Sequence, residues 1–320
     1  MKPPLSGIIP PMVTPLRGRD ELDVPGFERL IEHILAGGVS GLFILGTTGE
    51  GPSLSYRLRR EVIKRTCRQV KGRVPVLAGI TDTAFVESVN VAKAAAEAGA
   101  DAVVVAPPYY LPEGQPELQE YLDHLVPELP LPLFLYNMPA LTKVHIEADT
   151  IRRAMDNPRI IGLKDSSGDL TYFKTAADLI KQYRPDWPLL VGPEEKLLAT
   201  LQLGGNGGVS GGANLFPKLY VKVVEAYRAG DLARAEALQQ QIQRVSDSLY
   251  RIGRHSSSII KGIKCALSFL GVCNDFMAEP FHRFRDEQRV LVHQRLRELS
   301  AEVERICGEN IKPAALSANP

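Results

Sequence analysis

The sequence lacks the features that mark several classes of protein. Its 320 residues include only four cysteines, at positions 67, 265, 273 and 307, and none are spaced as CxxC. We therefore expect reduced thiols rather than a zinc ribbon or a disulfide framework. The six histidines form no HxH or HExxH motif at the end of an apolar run, which argues against a metal site.

An excess of one charge and long apolar segments are also missing. The 38 basic side chains balance 37 acidic ones, so the formal net charge is +1. This balance argues against binding to nucleic acid or to an anionic membrane. The chain shows no signal-peptide core and no run of 18 apolar residues, from which we expect a cytoplasmic protein without a membrane partner. An apolar content of 44% is enough for a sizeable core.

What the sequence does contain is a regular alternation of short apolar runs with longer amphipathic stretches. The period is very roughly 25 to 30 residues, which is typical of βα units around a parallel sheet. The runs cover Gly7–Val13, Gly41–Leu45, Pro75–Ala78, Ala102–Ala106, Leu131–Tyr136, Ile160–Lys164, Pro188–Val191 and Gly207–Ser210.

Eight such runs are the number that a closed (β/α)8 TIM barrel needs. After Ser210 the rhythm changes, because helical patterns follow one another without a strand between Leu215 and Cys307. Apolar residues there recur at spacings of four and three from Leu238 to Ile252, behind a helix cap at Asp231. The sequence therefore predicts an α/β fold with a (β/α)8 barrel over residues 1–225 and a C-terminal helical extension over residues 226–320.

Lys164 closes the sixth apolar run, where a buried strand is expected to end. A lysine held on an apolar scaffold is desolvated, so its pKa falls and its amine becomes available as a Schiff-base nucleophile. The alternative is a strand-end lysine that simply reaches solvent. The residues at the other strand ends favour the first interpretation.

Catalytic groups of a (β/α) barrel lie at the C-terminal ends of its strands. The second run ends in the glycine-rich turn Gly46–Gly51, whose Thr47 and Thr48 hydroxyls suit a small carboxylate. The fourth run leads to Tyr109 and Tyr110, and the fifth ends at Tyr136. An amine, phenols and an anion-sized turn together predict a site for a 2-oxo acid, in which a phenol shuttles protons. Taken singly, the turn could be a plain strand–helix connection and the tyrosines packing residues.

These motifs, in this order and over nearly the whole chain, resemble the family that contains dihydrodipicolinate synthase and N-acetylneuraminate lyase, the pyruvate-dependent class I aldolases. The resemblance is carried by Gly7–Leu16 with Thr14-Pro15, Gly46–Glu50, Ala78-Gly79, Pro108–Tyr110, Tyr136–Pro139, Gly162–Gly168 and Gly207–Asn214.

The resemblance implies a role for each matching position. Lys164 corresponds to the Schiff-base lysine and Tyr136 to the proton-relaying phenol beside it. Thr47 and Tyr110 correspond to the rest of a hydroxyl relay, with the tyrosine donated across a subunit contact. The carboxylate site corresponds to Thr48, and the backbone carbonyl facing the imine to Val209. The family is commonly a homotetramer, a dimer of dimers, and its imine chemistry needs no cofactor.

One departure from the family bears on the second substrate, an aldehyde that reacts with pyruvate or another 2-oxo acid. In the synthase, an arginine that binds the second substrate's carboxylate occupies the position that is Leu141 here. A leucine cannot form that bidentate pair. Leu141 therefore argues against the synthase reaction and favours the lyase.

The loop after the seventh run points the same way. It contains Gly192, Glu194 and Glu195, which resemble the acidic positions that bind sugar hydroxyls in the lyase. Together with Ser166 after Lys164, we take them as candidate substrate-binding residues. The two glutamates could equally be a solvated helix N-terminus, and Lys143 stands where the family usually has a glycine. The aldehyde stays undecided.

The sequence therefore predicts a Schiff-base lyase or aldolase that joins pyruvate to, or releases it from, an aldehyde, with a sugar acid or an N-acetylneuraminate-like compound as substrate. A 4-hydroxy-tetrahydrodipicolinate synthase and a keto-deoxy sugar acid dehydratase are alternatives that share the imine. Two readings of other classes stay open. One is a phosphosugar isomerase, suggested by the glycines of residues 204–212. The other is a catalytically idle binding or regulatory protein on the same fold.

Overall fold

The structure is a computed structural model that describes residues 5–308. Its centre is a sheet of eight parallel strands in sequential order, apart from the first strand, which pairs with the last. The sheet closes because the amide of Met12 donates to the carbonyl of Phe43, and the amide of Phe43 to that of Pro10. The strands are β1 Gly7–Ile8, β2 Leu42–Ile44, β3 Val76–Gly79, β4 Ala102–Val105, β5 Leu133–Asn137, β6 Ile160–Asp165, β7 Leu189–Val191 and β8 Gly207–Gly208.

Helices follow the strands and cover the outside of the barrel. Their ends follow local signals: Asp169 caps one helix by accepting from the amides of Thr171 and Tyr172, and Gly99 ends another in the left-handed conformation. The helices are α1 Val24–Ala36, α2 Tyr56–Val70, α3 Phe85–Ala98, α4 Gln115–Glu128, α5 Pro139–Thr142, α6 Ala148–Ala154, α7 Leu170–Tyr183, α8 Leu197–Gln202, α9 Pro217–Arg228, α10 Leu232–Val245, α11 Ser258–Phe269 and α12 Asp286–Cys307.

Two apolar cores result from this arrangement. The larger lies between the barrel and its helices and continues into the C-terminal helices. The smaller fills the barrel interior, with Phe43, Phe134, Tyr136 and Val209 among its members. A filled interior is what an eight-stranded parallel barrel requires. The predicted (β/α)8 barrel is therefore confirmed.

Two local features differ from the sequence-based expectation. A short antiparallel hairpin, Leu16–Gly18 with Glu21–Leu22, follows β1. Strands of two and three residues are too short to show an alternating pattern. The apolar stripe from Leu238 to Ile252 is not one regular α-helix, because α10 ends at Val245 and a short π-helix covers Ser246–Tyr250.

Helices α10, α11 and α12 follow the barrel, and α11 and α12 pack on each other. The boundary expected at residue 225 falls inside α9, and residues 309–320 of the expected extension lie outside the described residues. Within residues 5–308, none of the four cysteines forms a disulfide bond. Among residues 5–308, no helix is both long and apolar enough to cross a membrane.

Candidate active site

Lys164 lies near the C-terminal end of β6 and points into the barrel interior. Its Nζ is 3.7 Å from the centroid of the Tyr136 ring and 4.8 Å from that of Phe43, and the residue is only 5% exposed. Burial lowers the pKa of Lys164, against the opposing influence of Tyr136. A buried amine with a lowered pKa is the form in which lysine acts as a nucleophile.

Tyr136 lies on β5 and is the register partner of Lys164 on the neighbouring strand β6. Its hydroxyl lies 3.3 Å from Oγ1 of Thr47, at the end of β2. Burial alone would raise the pKa of Tyr136, but the Lys164 ammonium and hydrogen bonds with Thr47, Ser166 and Lys164 outweigh it and lower the pKa. The structure therefore brings three other sequence-predicted residues to the phenol of Tyr136, which can accept and return a proton there.

Immediately after this pair, Asn137 and Asp165 form a buried polar contact that the sequence did not single out. Asn137 Nδ2 donates to Oδ1 of Asp165 at 2.8 Å, and Ser167 donates to the same carboxylate from its amide and its hydroxyl. Asn137 Oδ1 accepts from the amide of Ile146 at 3.0 Å. Burial raises the pKa of Asp165, although its hydrogen bonds act in the opposite direction. A signal was available, since Asn137 and Asp165 are polar residues that end two largely apolar strands.

The glycine-rich turn after β2 is closed by its own backbone. The amide of Glu50 donates to the carbonyl of Thr47, and the amide of Gly51 to that of Gly46. A Cβ on Gly51 would lie 2.1 Å from the carbonyl oxygen of Leu45, so only glycine allows this close approach. The turn places the Thr47 hydroxyl beside that of Tyr136, and Oγ1 of Thr48 lies 4.0 Å from the position that a Cβ on Gly211 would take.

Ser166 and Gly192 lie against each other at the ends of β6 and β7. The amide of Gly192 donates to the carbonyl of Asp165, and a Cβ on Gly192 would lie 1.9 Å from Oγ of Ser166. Val209, just beyond β8, is buried in the barrel interior together with Tyr136. These three candidate substrate-binding residues therefore belong to the same end of the barrel as Lys164.

Glu194 is bound more tightly by the protein than the sequence suggested. Its Oε2 accepts from the amide of Gly212 at 2.8 Å, and its Oε1 accepts from the hydroxyls of Tyr220 and Tyr250 at 2.6 and 2.8 Å. Burial raises the pKa of Glu194 to about 7, partly offset by these donors. Since both oxygens already have protein partners, the carboxylate braces the turn that begins at Gly211. Glu195 is half-buried and accepts from the hydroxyl of Ser246.

Two other candidates lie at the surface of the single chain. Tyr110 is 90% exposed and has a positive φ of 87°, in the loop between β4 and α4. Leu141 is 49% exposed and lies in α5, directly after β5. The chain by itself does not bring Tyr110 into contact with the Tyr136 hydroxyl.

Metal ligands do not gather around this pocket. Within residues 5–308, no group of three or more His, Cys, Asp or Glu side chains is arranged to hold a metal ion. The polar groups beside Lys164 and Tyr136 are the hydroxyls of Thr47 and Ser166. They suit a carboxylate and a carbonyl oxygen.

Known proteins resemble this chain in both sequence and fold. Residues 4–299 match the model of the dihydrodipicolinate synthetase family. The YagE protein of Escherichia coli K12, named as a candidate 2-dehydro-3-deoxy-D-gluconate aldolase, is 33% identical over 257 residues, which cover 80% of this chain and 85% of that protein. The solved structure of YagE in complex with pyruvate is 30% identical, with a TM-score of 0.87 and coverage of 92% and 99%.

A second solved structure is more similar in sequence. It is dihydrodipicolinate synthase from Bacteroides thetaiotaomicron, 54% identical with a TM-score of 0.90, and the match covers 93% of this chain and 100% of that one. The family that the motifs predicted is thereby confirmed. The chain belongs to the dihydrodipicolinate synthetase family of carbon–carbon lyases and aldolases.

Proposed function

We propose that the protein is a lysine Schiff-base lyase or aldolase that cleaves a 2-keto-3-deoxy sugar acid, or a related N-acetylneuraminate-like compound, to pyruvate and an aldehyde, and also catalyses the reverse reaction. The observation that carries the proposal is the Lys164–Tyr136 pair, a buried amine 3.7 Å from a phenol ring whose hydroxyl meets Thr47. Lys164 is the nucleophile in this proposal, and Tyr136 relays protons.

In the cleavage direction, the neutral amine of Lys164 attacks the C2 carbonyl, and the resulting carbinolamine loses water to give the imine. Tyr136 donates the proton with which the hydroxide departs as water, and the phenolate that results takes up the proton of the C4 hydroxyl in the next step. Deprotonation of the C4 hydroxyl then breaks the C3–C4 bond, which releases the aldehyde and leaves an enamine on Lys164. Protonation of the enamine at C3 and hydrolysis of the imine release pyruvate.

The remaining candidates take supporting positions in this scheme. The substrate carboxylate binds at Thr48 and the adjoining backbone of the Gly46–Gly51 turn. The backbone carbonyl of Val209 faces the imine nitrogen. Ser166, Gly192 and Glu195 line the side that receives the hydroxyls of the sugar acid, while Glu194 acts through its hydrogen bond to Gly212.

The substrate class is tested by offering purified protein 2-dehydro-3-deoxy-D-gluconate and N-acetylneuraminate. The release of pyruvate is followed by its reduction with lactate dehydrogenase. We expect turnover of at least one 2-keto-3-deoxy acid, and none by the Lys164→Met variant. Dehydration without carbon–carbon cleavage would give a new 2-oxo acid and no pyruvate, and would replace lyase by dehydratase in the proposal.

A 4-hydroxy-tetrahydrodipicolinate synthase is the second candidate. It is favoured by the synthase name of the 54% identical structure from Bacteroides thetaiotaomicron. Leu141 opposes it, because an apolar side chain on α5 cannot pair with the carboxylate of an aldehyde. Condensation of pyruvate with a carboxylated aldehyde faster than with a neutral sugar aldehyde would favour the synthase.

We further propose a cytoplasmic homotetramer, a dimer of dimers in which Tyr110 completes the hydroxyl relay of the partner subunit. The support is its 90% exposure on a loop at the rim that carries Lys164. Mixing inactive Tyr110→Phe and Lys164→Met proteins tests this, because hybrid oligomers would then contain sites with both groups intact. Recovered activity is the expected result. If the mixture remains inactive although hybrids form, Tyr110 has no role across subunits.

A further inference from the structure

A second buried lysine, Lys264, lies in α11 of the helical extension and pairs with Glu50 of the glycine-rich turn. The Nζ–Oε1 distance is 2.6 Å, and the two side chains are 0% and 3% exposed. Transfer of both charges out of water is unfavourable, and a well-packed apolar pair of similar volume is often as stable or more so. Stability alone therefore does not account for this pair.

The hydrogen bonds around the pair connect four segments of the chain: the stretch after β1, the turn after β2, helix α11 and the stretch after α11. Lys264 Nζ also donates to the carbonyl of Thr14 at 2.9 Å, and the Thr14 hydroxyl donates to the carbonyl of Gly49 at 2.7 Å. Oε2 of Glu50 accepts from the amide of Ala278 at 2.8 Å. Glu50 of the turn is thus bound by Lys264 of α11 and by the amide of Ala278, which lies in the segment after α11.

The backbone of Glu50 makes the turn sensitive to these contacts. Its φ is 56°, in the left-handed region that a residue with a side chain adopts at a cost. The same residue donates its amide to the carbonyl of Thr47. Anchoring the Glu50 carboxylate therefore also fixes the peptide units that carry Thr47 and Thr48.

The residue before Lys264 in α11, Ile263, also packs against Gly211, close to Thr48. A Cβ on Gly211 would lie 3.2 Å from Cδ1 of Ile263 and 4.0 Å from Oγ1 of Thr48. Two neighbouring residues of α11 thus contact different parts of the site: Lys264 binds Glu50 of the turn, and Ile263 packs against Gly211, close to Thr48. A displacement of α11 would move both.

We propose that the Lys264–Glu50 ion pair is a positioning device through which the helical extension holds the Thr47–Thr48 turn in the geometry that receives the carboxylate of a 2-oxo acid. This inference rests on the proposed function. Lys264 and Glu50 act through Thr47 and Thr48 and do not touch the substrate.

The test measures imine formation directly, so that the identity of the aldehyde does not matter. Pyruvate at a series of concentrations is reduced onto the protein with borohydride, and the yield at Lys164 gives a half-saturating concentration and a plateau rate. The proteins are wild type, Lys264→Met, Glu50→Gln, the double variant, and Lys264→Arg as the conservative change. Lys222→Met is the matched control, because Lys222 also donates to a backbone carbonyl, that of Cys307, but away from the turn.

We expect the half-saturating pyruvate concentration to rise about tenfold or more in Lys264→Met and Glu50→Gln, since small misplacements of binding groups have effects of this size. The plateau rate should change much less, and Lys264→Arg should restore part of the affinity. The double variant should regain thermal stability, because it leaves no unpaired buried charge. Its half-saturating pyruvate concentration should nevertheless stay as high as in the single variants. Lys222→Met should match wild type in both quantities.

Two results would overturn the positioning role. One is a folded Lys264→Met or Glu50→Gln protein whose half-saturating concentration stays within twofold of wild type. The other is a double variant that regains pyruvate affinity together with its stability. If Lys264→Met fails to fold, Glu50→Gln and the double variant decide the question. A wild-type protein without an adduct at Lys164 would contradict the proposed function itself, which separates the two failures.

Discussion

Asn137 donates a 2.8 Å hydrogen bond to Asp165, one residue beyond the register pair of Tyr136 and Lys164. Both partners are almost completely buried. Two neighbouring strands are therefore fastened side chain to side chain at the point where they present the phenol and the amine. Strand ends fray when only backbone hydrogen bonds hold them, so this side-chain contact further restricts how Tyr136 and Lys164 can shift along the strands relative to each other.

We expect Asp165→Asn to slow catalysis by about 10- to 100-fold, because a carboxylate that accepts from Asn137 and Ser167 is replaced by an amide with one acceptor. The free energy of unfolding should fall by about 1–3 kcal/mol through the donors left without a partner. Urea denaturation and kcat measure the two effects. Asp178→Asn is the control, since Asp178 forms an exposed pair with Lys174 and both quantities should stay near wild type.

We expect Tyr136→Phe to slow imine formation by about 100- to 10,000-fold, the range that a positioned proton donor contributes. The ring keeps its edge-to-face contact with Phe43, so the free energy of unfolding should change by about 1 kcal/mol or less. Rapid-quench trapping with borohydride measures the rate. Tyr227→Phe removes a partly buried tyrosine hydrogen bond elsewhere, to the carbonyl of Leu201, and should leave the rate unchanged. Equal rates in the two variants would exclude Tyr136 as the proton relay.

Much of the barrel could be read from the sequence because its strands are short and buried on both faces. Each apolar run is bounded by glycine, proline or a polar cluster, so all eight strands lie within or next to the predicted ranges, and Lys164 falls near a strand end as expected. The hairpin after β1 was missed because its strands carry too few residues to show a period.

Contacts between distant segments could not be predicted in the same way. The bond from Lys264 to Glu50 joins positions 214 residues apart, and no local pattern encodes such a pair. The tyrosines that donate to Glu194 are Tyr220 of α9 and Tyr250 of the π-helix after α10. Because both lie far from Glu194 in the sequence, the local pattern around the glutamate was compatible with a group that binds sugar hydroxyls. Such contacts become predictable only when burial is known, because a buried charged group requires polar partners and the tertiary structure determines which residues lie close enough.

We expect Leu141→Arg to shift the choice of aldehyde toward one with a carboxylate. The side chain is half exposed on α5, directly after the strand that carries Tyr136, so an arginine there has room to form a bidentate pair. The ratio of kcat/KM for carboxylated and neutral aldehydes should rise by about tenfold or more. Leu141→Met is the control for side-chain length without charge. An unchanged ratio, with pyruvate trapping intact, would show that position 141 does not set this preference.

We expect Glu194 to make the fold less stable as the pH rises toward neutrality. Its pKa is raised to about 7 in the folded protein from 4.5, so between these values the folded state keeps a proton that the unfolded state releases. The stabilisation from protonated Glu194 is complete below its pKa in the unfolded chain and is lost as the pH rises through its pKa in the folded protein. The total loss of unfolding free energy is about 3 kcal/mol.

Urea denaturation of Glu194→Gln at pH 5 and pH 8 tests this expectation, with the exposed Glu225→Gln as control. The loss of stability between the two pH values should be smaller in Glu194→Gln than in the control. The same loss in both variants would mean that Glu194 titrates alike in the folded and unfolded chains.

The central claim is that Lys164 forms an imine with a 2-oxo acid, and trapping that imine tests it most directly. Wild-type protein and the Lys164→Arg variant are incubated with pyruvate and borohydride, and the adducts are located by peptide mapping. We expect one adduct per chain, on Lys164, absent from the variant. Trapping should reach its maximal rate at a lower pH than a solvated lysine requires, because burial lowers the pKa of Lys164. An adduct on another residue, an undiminished adduct in Lys164→Arg, or no adduct on the folded wild-type protein would contradict the account.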